Sequence, residues 1–273
     1  MNAPGTGPLV LKCGGELLEP GPGLAPLLAA LAETAAAGPT VIVHGGGREI
    51  DAELARRGLA KRAVDGLRVT DAATLEAVVA VLAGTVNTRL VAALAAAGVR
   101  AVGLTGADDA GITAHRAPAH RATDGRLVDL GLVGLPRDAG TPPRLVADLL
   151  AAGYVPVVAP IGLGQGGELL NVNADTLAAH LAATLHARAL VIAGAVAGVL
   201  DTSGHTVPDL TPARVEPLIA DGTASAGMVA KLRACLHALE HGVSEVLLVD
   251  GRQPALMLSQ PATRLHPEPE AVR

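Results

Sequence analysis

Apolar residues along this chain fall into short, almost continuous runs separated by longer stretches rich in Ala and Leu. The short runs are dominated by Val, Ile and Leu, a composition typical of strands buried on both faces of a parallel sheet. The predicted strands are LVLKC (9–13), TVIVH (40–44), VRAVGL (99–104), YVPVVAPI (154–161), ALVIAGAV (189–196) and SEVLLVD (244–250).

The longer stretches predict helices between these strands. Residues 112–133 are polar and contain glycines at a spacing that fits hairpins. The alternation of strands and helices predicts the α/β class with a mostly parallel central sheet covered on both faces, and ligands in such sheets bind beyond the carboxyl ends of the strands. The predicted helices cover residues 24–37, 49–57, 71–97 (with a break near Gly84), 143–152, 174–185 and 228–240.

Composition narrows the class of function. Half of the 273 residues are apolar, yet the chain has no Phe, no Trp and one Tyr, and its net charge is −5. Nucleic-acid binding needs a basic surface or stacking aromatics, so we expect no nucleic-acid partner. The longest apolar run, residues 189–200, is too short to span a bilayer, and no signal peptide is recognisable. With only two cysteines, these features predict a cytoplasmic protein that does not bind membranes.

Two of the predicted strands end in glycine clusters, KCGG (12–15) and HGGG (44–47). Glycines let backbone N–H groups approach an anion closely, and a helix that begins just after such a loop adds partial positive charge. Side by side, the two loops would cradle a phosphoryl group. The simpler interpretation is two tight turns between strand and helix.

The chain has 18 arginines but only three lysines, Lys12, Lys61 and Lys231. Lys12 and Lys231 lie beside glycine-containing turns, whereas Lys61 has the surroundings of an ordinary solvated lysine. Ammonium is a compact charge that suits one phosphoryl oxygen, and phosphoryl transfer depends mainly on positioning and charge neutralisation. We therefore expect Lys12 and Lys231 to bracket a transferred phosphoryl group, unless both are surface lysines.

Polar residues before two of the helices are further candidates. In NVNADT (171–176), Asn173 is a plausible N-cap, and Asp175 would lie in the first helical turn. Asp175 either contributes to capping alone or holds both lysines, while Asn171 would bind a substrate. In GLRVTD (66–71), Arg68 is either a surface arginine or a fork for a carboxylate.

Other motifs are absent or incomplete. No lysine follows a glycine, which excludes a Walker A loop. The GxGxxG match at residues 162–167 is not followed directly by a helix, and we interpret it as a hairpin turn. HGGG also occurs in esterases, but the required GxSxG elbow is missing. The nine histidines show no metal-binding spacing.

The ordered set of motifs resembles the amino-acid kinase family from Leu9 to about Arg252. The motifs are KCGG, VHGGG, GLRVTD, VGLTG, PVVAPIG, NVNADT, IADGTASAGMVAK and VDGR. The resemblance implies a three-layer α/β/α sandwich and MgATP-dependent phosphorylation of the γ-carboxylate of N-acetyl-L-glutamate, a step of arginine biosynthesis. It also implies that residues 1–186 bind the acyl-amino acid and carry the dimer surface, and that residues 187–273 bind ATP. Mg²⁺ would bind mainly through the ATP phosphates.

The resemblance also implies roles for individual residues. Lys12 and Lys231 would stabilise the transferring group, and Asp175 would organise them. Glycine amides would contact phosphate and substrate, and a set of loop residues would bind the nucleotide. The expected binding residues are Gly14 and Gly15 for phosphate, Gly45, Gly46, Arg68 and Asn171 for acetylglutamate, and Ala195, Gly198, Val199, Ser225, Gly227 and Met228 for the nucleotide.

Some features depart from the family pattern. Ala195 stands where an acidic residue is usual, which bears on nucleotide binding, and the carboxyl-terminal end lacks the usual Gly-Thr. Arginine-inhibited hexameric members have an extra N-terminal helix, whereas about eight residues precede the first strand here. We therefore expect a homodimer that arginine does not inhibit. Two alternatives stay open: a kinase of aminoadipate or glutamate linked to a carrier protein, and a non-catalytic amino-acid sensor.

Overall fold

The computed structural model describes residues 7–138, 140–196, 198–220, 222, 224, 226–256 and 262–268. The strands of this part of the chain are β1 (Leu9–Cys13), β2 (Thr40–His44), β3 (Ala63–Val64), β4 (Leu67–Arg68), β5 (Ala101–Leu104), β6 (Ala114–Arg116), β7 (His120–Arg121), β8 (Leu127–Val128), β9 (Val133–Pro136), β10 (Val155–Val158), β11 (Ile161–Leu163), β12 (Leu169–Val172), β13 (Ala189–Gly194), β14 (Asp209–Leu210), β15 (Val246–Asp250) and β16 (Thr263–Leu265).

Helices connect most of these strands, and short 3₁₀ turns follow some strand ends. The helices are α1 (Leu24–Ala37), α2 (Gly47–Arg56), α3 (Ala72–Val79), α4 (Asn87–Ala96), α5 (Arg144–Ala151), α6 (Ala174–Thr184), α7 (Pro212–Ala220) and α8 (Ala226–Glu240). A π-helical segment, Ala80–Val86, joins α3 to α4.

The central sheet has eight strands in the order β14-β16-β15-β13-β1-β2-β10-β5. All neighbouring pairs are parallel except β15 and β16. β1 lies inside the sheet between β2 and β13, so its carboxyl end meets the carboxyl ends of both neighbours. The predicted strands 9–13 and 40–44 match β1 and β2 residue for residue.

Two apolar layers, one on each face of the sheet, form the core. One contains Leu27 and Leu31 of α1, Ile50 of α2 and Leu90 of α4. The other contains buried side chains of α5, α6, α7 and α8, together with Val10 of β1. The predicted three-layer α/β/α sandwich is confirmed.

The interruption predicted near Gly84 is present as the π segment Ala80–Val86, but the chain stays helical through it. α3, the π segment and α4 form one helix over residues 72–96, because the π segment carries the backbone hydrogen bonding past the exposed Gly84. Within the described residues, this is one helix long and apolar enough, by length and composition, to cross a bilayer. In the fold it is a core helix that packs against β5, β10 and α1.

A smaller sheet in the order β11-β12-β9-β6 lies beyond the carboxyl ends of the central strands. β11 and β12 are antiparallel, so the GxGxxG match at residues 162–167 is a hairpin turn, as predicted. Two further hairpins, β3–β4 and β7–β8, lie near the same end of the molecule. These elements surround the carboxyl end of β1, where the candidate residues meet.

Candidate active site

Lys12, Asp175 and Lys231 meet at the carboxyl end of β1. Lys12 Nζ lies 2.9 Å from Asp175 Oδ1, and Lys231 Nζ lies 3.0 Å from Asp175 Oδ2. Lys12 points to the same side of β1 as Val10, which packs against α6, because side chains alternate along a strand. Asp175 lies in the first turn of α6, whose N-cap is Asn173, as predicted.

Burial and pairing together fix the charges of this triad. Burial alone would raise the pKa of Asp175, but Lys12 and Lys231 reverse this and hold the pKa of that carboxyl below its usual value. Burial alone would lower the pKa of Lys12, but the Asp175 carboxylate holds it above its usual value. Lys12 and Asp175 are therefore held in their charged forms at neutral pH. With the formal charge of the Lys231 ammonium, the triad carries one net positive charge.

The two glycine loops pack backbone against backbone beside this triad. A Cβ added to Gly15 would lie 2.5 Å from Gly46 N and 2.6 Å from Gly46 Cα, so only glycine fits there. Gly14 N donates to Ala193 O and Gly45 N donates to Cys13 O, which extends the sheet ladder past the strands. The Gly15 and Gly46 amides, rather than those of Gly14 and Gly45, are thus the ones that remain for an anion.

A cavity of about 220 Å³ adjoins the second glycine loop. Arg68 is one of its walls: Nη2 donates to Asp51 Oδ1 at 2.5 Å and to Gly47 O at 3.3 Å, and the buried Nη1 has no hydrogen-bond partner within the described residues. Asn171 lines the same cavity, and its Nδ2 donates to Thr70 Oγ1 at 3.1 Å. A guanidinium with one free donor edge suits a ligand carboxylate.

Sequence reasoning missed the residues that support Arg68. Asp51 lies on α2, one turn after the HGGG loop, and gives no local signal of a partner 17 positions away. Asp65 lies at the tip of the β3–β4 hairpin, where its carboxylate accepts hydrogen bonds from His120 Nε2 (2.8 Å), Thr123 N (3.1 Å) and Thr123 Oγ1 (3.0 Å). Asp65 thus ties the hairpin that carries Arg68 to the β7–β8 hairpin.

The candidate nucleotide residues follow β13 and precede or begin α8. Ala195 N donates to Glu16 Oε1 at 3.1 Å, a contact between the loops after β13 and β1 that sequence reasoning also missed. Gly198 has a φ of +89°, and Val199 is buried with its N–H bound to Thr263 Oγ1, so both also have structural roles. Gly227 and Met228 lie in the first turn of α8, and Ser225 lies outside the described residues.

Cys13 sits between Lys12 and Gly14 and is fully buried. Burial raises the pKa of its thiol to about 12 despite the neighbouring Lys12. The thiol therefore stays protonated and contributes packing, not chemistry. Within the described residues, no cluster of three or more His, Cys, Asp or Glu side chains has the arrangement of a metal site.

Comparison with known proteins extends these observations. The sequence matches the amino acid kinase family over residues 7–250. It is 45% identical over 224 residues to an acetylglutamate kinase from Erythrobacter litoralis, covering 80% of this chain and 74% of that protein. It is 46% identical over 223 residues to an acetylglutamate kinase from Symbiobacterium thermophilum, covering 80% of this chain and 75% of the relative.

Solved structures share the fold. An N-acetylglutamate synthase from Neisseria gonorrhoeae, solved with coenzyme A and N-acetyl-glutamate, superposes with a TM-score of 0.80 at 27% identity over 96% of this chain. This chain spans 60% of that synthase's length. A carbamate kinase from Giardia lamblia superposes with a TM-score of 0.66 at 13% identity, covering 97% of this chain and 100% of that one, which shows a common fold alone.

Proposed function

The chain belongs to the amino acid kinase family, and from that premise we propose that it is an acetylglutamate kinase. It transfers the γ-phosphoryl group of ATP to the γ-carboxylate of N-acetyl-L-glutamate and forms N-acetylglutamyl 5-phosphate for arginine biosynthesis. The observation that carries the proposal is the buried Lys12–Asp175–Lys231 triad, which adjoins two glycine loops and a cavity walled by Arg68.

The chemistry requires little beyond what these residues supply. The substrate carboxylate is ionised at neutral pH, so it attacks phosphorus without a general base. As the in-line transfer proceeds, Lys12 and Lys231 stabilise negative charge on the phosphoryl oxygens, and Asp175 keeps both ammonium groups in position. The Gly15 and Gly46 amides donate to oxygens of the same group, and the lack of a side chain at Gly15 and Gly45 allows the loops their close approach.

N-acetylglutamate binds in the cavity beside the second glycine loop. The free edge of Arg68 pairs with the α-carboxylate of N-acetylglutamate, and Asn171 hydrogen-bonds to its amide. The wider rim beside this cavity also contains Arg48 and Lys61, which pair with Glu19 and Asp51. Within the described residues this rim presents no unpaired basic collar of the kind that an acidic carrier protein would need, which favours the free amino acid.

The nucleotide lies on the other side of the triad, at the candidate residues from Ala195 to Met228. Mg²⁺ bound to the ATP phosphates would neutralise part of their charge. Asp175 is already in ion pairs with two lysines, although its buried Oδ1 accepts no hydrogen bond within the described residues. Glu16 makes no ion pair within the described residues, and its carboxylate would be a suitable oxygen ligand for this cation near the triad.

We propose that the two segments of the chain bind different substrates, as the resemblance implies. Arg68 and Asn171 belong to residues 1–186, which bind acetylglutamate, and the loops around Gly198 and Gly227 belong to residues 187–273, which bind ATP. The proposed enzyme is cytoplasmic, and its substrates are small molecules.

We also propose a homodimer that arginine does not inhibit. The helix over residues 72–96 supports a dimer surface, because its outer face is made largely of exposed alanines, among them Ala73, Ala80 and Ala92. Light scattering after size exclusion should give a mass near twice the 27.1 kDa of one chain. A hexamer mass, or inhibition by arginine in the kinase assay, would contradict this part of the proposal.

The function is tested by ADP release from MgATP with N-acetylglutamate, glutamate or aminoadipate as separate acceptors. Trapping the acyl phosphate with hydroxylamine identifies the product. We expect turnover with N-acetylglutamate alone, and loss of that turnover in Asp175→Asn. Silence with every free amino acid would reject the proposal in favour of a carrier-linked substrate, and nucleotide binding without any transfer would indicate a sensor.

A further inference from the structure

Glu16 occupies an unusual position for a carboxylate. It lies in the turn after the KCGG loop, and its side chain folds back over that loop: a Cβ added to Gly14 would lie 2.5 Å from Oε1 and 2.6 Å from Oε2. Ala195, which directly follows the neighbouring strand β13, donates its N–H to Oε1 at 3.1 Å, and a Cβ added to Gly194, the last residue of β13, would lie 3.5 Å from Oε1. The carboxylate therefore lies between the loops after β1 and β13, and an amide on the proposed nucleotide side is already bound to an anion of the chain itself.

Neighbouring acidic groups are neutralised, but Glu16 is not. Asp175 pairs with two lysines, Glu19 with Arg48, and Asp51 with Lys61 and Arg68. Glu16 makes no ion pair within the described residues, and Oε2 accepts no hydrogen bond there. The Glu16 carboxylate interacts electrostatically with the triad without touching it. After Asp175, it is one of the negative charges that raise the pKa of Lys12.

Counting Glu16 changes the charge that an incoming phosphate meets. Lys12 and Lys231 contribute two positive charges, and Asp175 and Glu16 contribute two negative ones, so these four groups together carry no net charge. Arg48, Lys61 and Arg68 line a cavity with Glu16, and each of these cations is already in an ion pair with Glu19 or Asp51. Bare triphosphate gains little attraction from such a site and is repelled by the nearest carboxylate. A triphosphate that carries Mg²⁺ is attracted instead, because Mg²⁺ binds through carboxylates together with substrate phosphates and keeps several waters.

We infer that Glu16 makes the nucleotide site select Mg²⁺-complexed ATP over free ATP. Its carboxylate repels the uncomplexed polyphosphate and offers Oε2 to the cation or to a water of its shell. This inference rests on the proposed use of ATP. Position 195, where the family usually has an acidic residue, is an alanine in this chain, so Ala195 cannot discriminate between the two forms of ATP, and we assign that role to Glu16.

Calorimetric titration with ATP tests the inference, once in excess MgCl₂ and once in EDTA, with no acceptor present. We expect the wild-type protein to bind ATP at least about tenfold more tightly with Mg²⁺ than without it. In Glu16→Gln, which keeps the size and the acceptor for Ala195 N–H, free ATP should bind more tightly and MgATP more weakly, so that the ratio falls below about threefold. Glu16→Asp should keep a preference for MgATP, and the matched control Glu19→Gln should keep the wild-type ratio.

The outcomes separate this inference from the proposed function. A wild-type protein that binds no MgATP contradicts the proposed function itself. An active wild-type protein whose Glu16→Gln variant keeps the wild-type ratio overturns the role of Glu16. Equal tightening for both forms of ATP also overturns it, because Glu16 would then merely obstruct the phosphate position. Circular dichroism and thermal melting confirm that each variant is folded before it is titrated.

Discussion

At the scale of single residues, the choice of lysine rather than arginine at position 12 determines where the positive charge lies. Its side chain is only 8% exposed, and its single ammonium group faces Asp175 from inside the sheet. Guanidinium is a broad planar fork, so arginine cannot take this place without displacing its neighbours or moving the charge. A chain that otherwise uses 18 arginines retains lysine at the position where the proposed mechanism requires a compact charge beside a phosphoryl oxygen.

We therefore expect Lys12→Arg to lower kcat for N-acetylglutamate by at least about a hundredfold, roughly 2.7 kcal/mol of transition-state stabilisation. The net charge is unchanged, so the loss would reflect geometry. Coupled ADP-release kinetics measure it, with Lys61→Arg as the control because Lys61 is 58% exposed in a surface ion pair. If Lys12→Arg retained more than about a tenth of wild-type kcat, the position would need only a positive charge.

At the scale of elements, the Asp65 carboxylate joins two hairpins beside the cavity that Arg68 lines. Asp65 has a φ of 49° at the tip of β3–β4 and accepts hydrogen bonds from His120 and Thr123 of the β7–β8 hairpin. These contacts fix the hairpin that carries Arg68. The His120 contact above all lowers the pKa of Asp65, so the carboxylate remains a charged acceptor.

We expect Asp65→Asn to raise KM for N-acetylglutamate about tenfold while kcat changes by less than about twofold. Asparagine tolerates the left-handed backbone of this turn, so the change removes acceptors without adding strain. Initial-rate kinetics with each substrate varied in turn provide the measurement, and KM for ATP serves as the internal control. A fall in kcat with unchanged KM would mean that this contact does not position Arg68.

Close packing of the glycine loops leads to a separate prediction. Gly15→Ala would place a methyl group 2.5 Å from Gly46 N, which forces the two loops apart. We expect loss of at least about nine-tenths of the activity and a lower melting temperature. Gly47→Ala is the matched control, because a Cβ there meets nothing within 4 Å. Equal behaviour of the two variants would contradict the idea that the loops must touch.

The same elements show what the sequence reveals and what it conceals. β1, β2 and α1 were predictable to the residue, because their apolar runs end at glycines. α7 was not predicted, since Pro217 inside it and Pro212 at its start resemble loop signals. Local motifs predict the members of the triad, but the contacts of Asp51, Asp65 and Glu16 join distant segments and leave no local pattern.

At the scale of the whole molecule, burial sets how stability depends on pH. Burial lowers the pKa of both His44 and His180 to about 4. Histidine in an unfolded chain has a pKa near 6.5. Between pH 6.5 and pH 4 the unfolded chain therefore binds protons that the folded protein does not, and the free energy of unfolding falls as the pH falls. His44 Nε2 also lies 3.1 Å from Asn87 Nδ2, a hydrogen bond that requires the neutral ring.

We expect each of these histidines to cost about 2 kcal/mol of stability at pH 5 relative to pH 7.5. Urea unfolding at the two pH values measures this difference for the wild-type protein and for His180→Asn. The variant should lose about 2 kcal/mol less than the wild type on acidification, whatever its stability at pH 7.5. The exposed His205, changed to Asn, is the control, and a His180 variant with the full wild-type pH dependence would contradict the prediction.

The buried thiol beside Lys12 has a consequence for how such a protein responds to its surroundings. With a pKa of about 12, only about one Cys13 thiol in a hundred thousand is a thiolate at pH 7. Peroxides and electrophiles react with the thiolate, so the Cys13 thiol beside the triad reacts very slowly with them. Cys235 is also buried. Product formation at this site would continue through oxidative stress that silences enzymes with exposed catalytic cysteines.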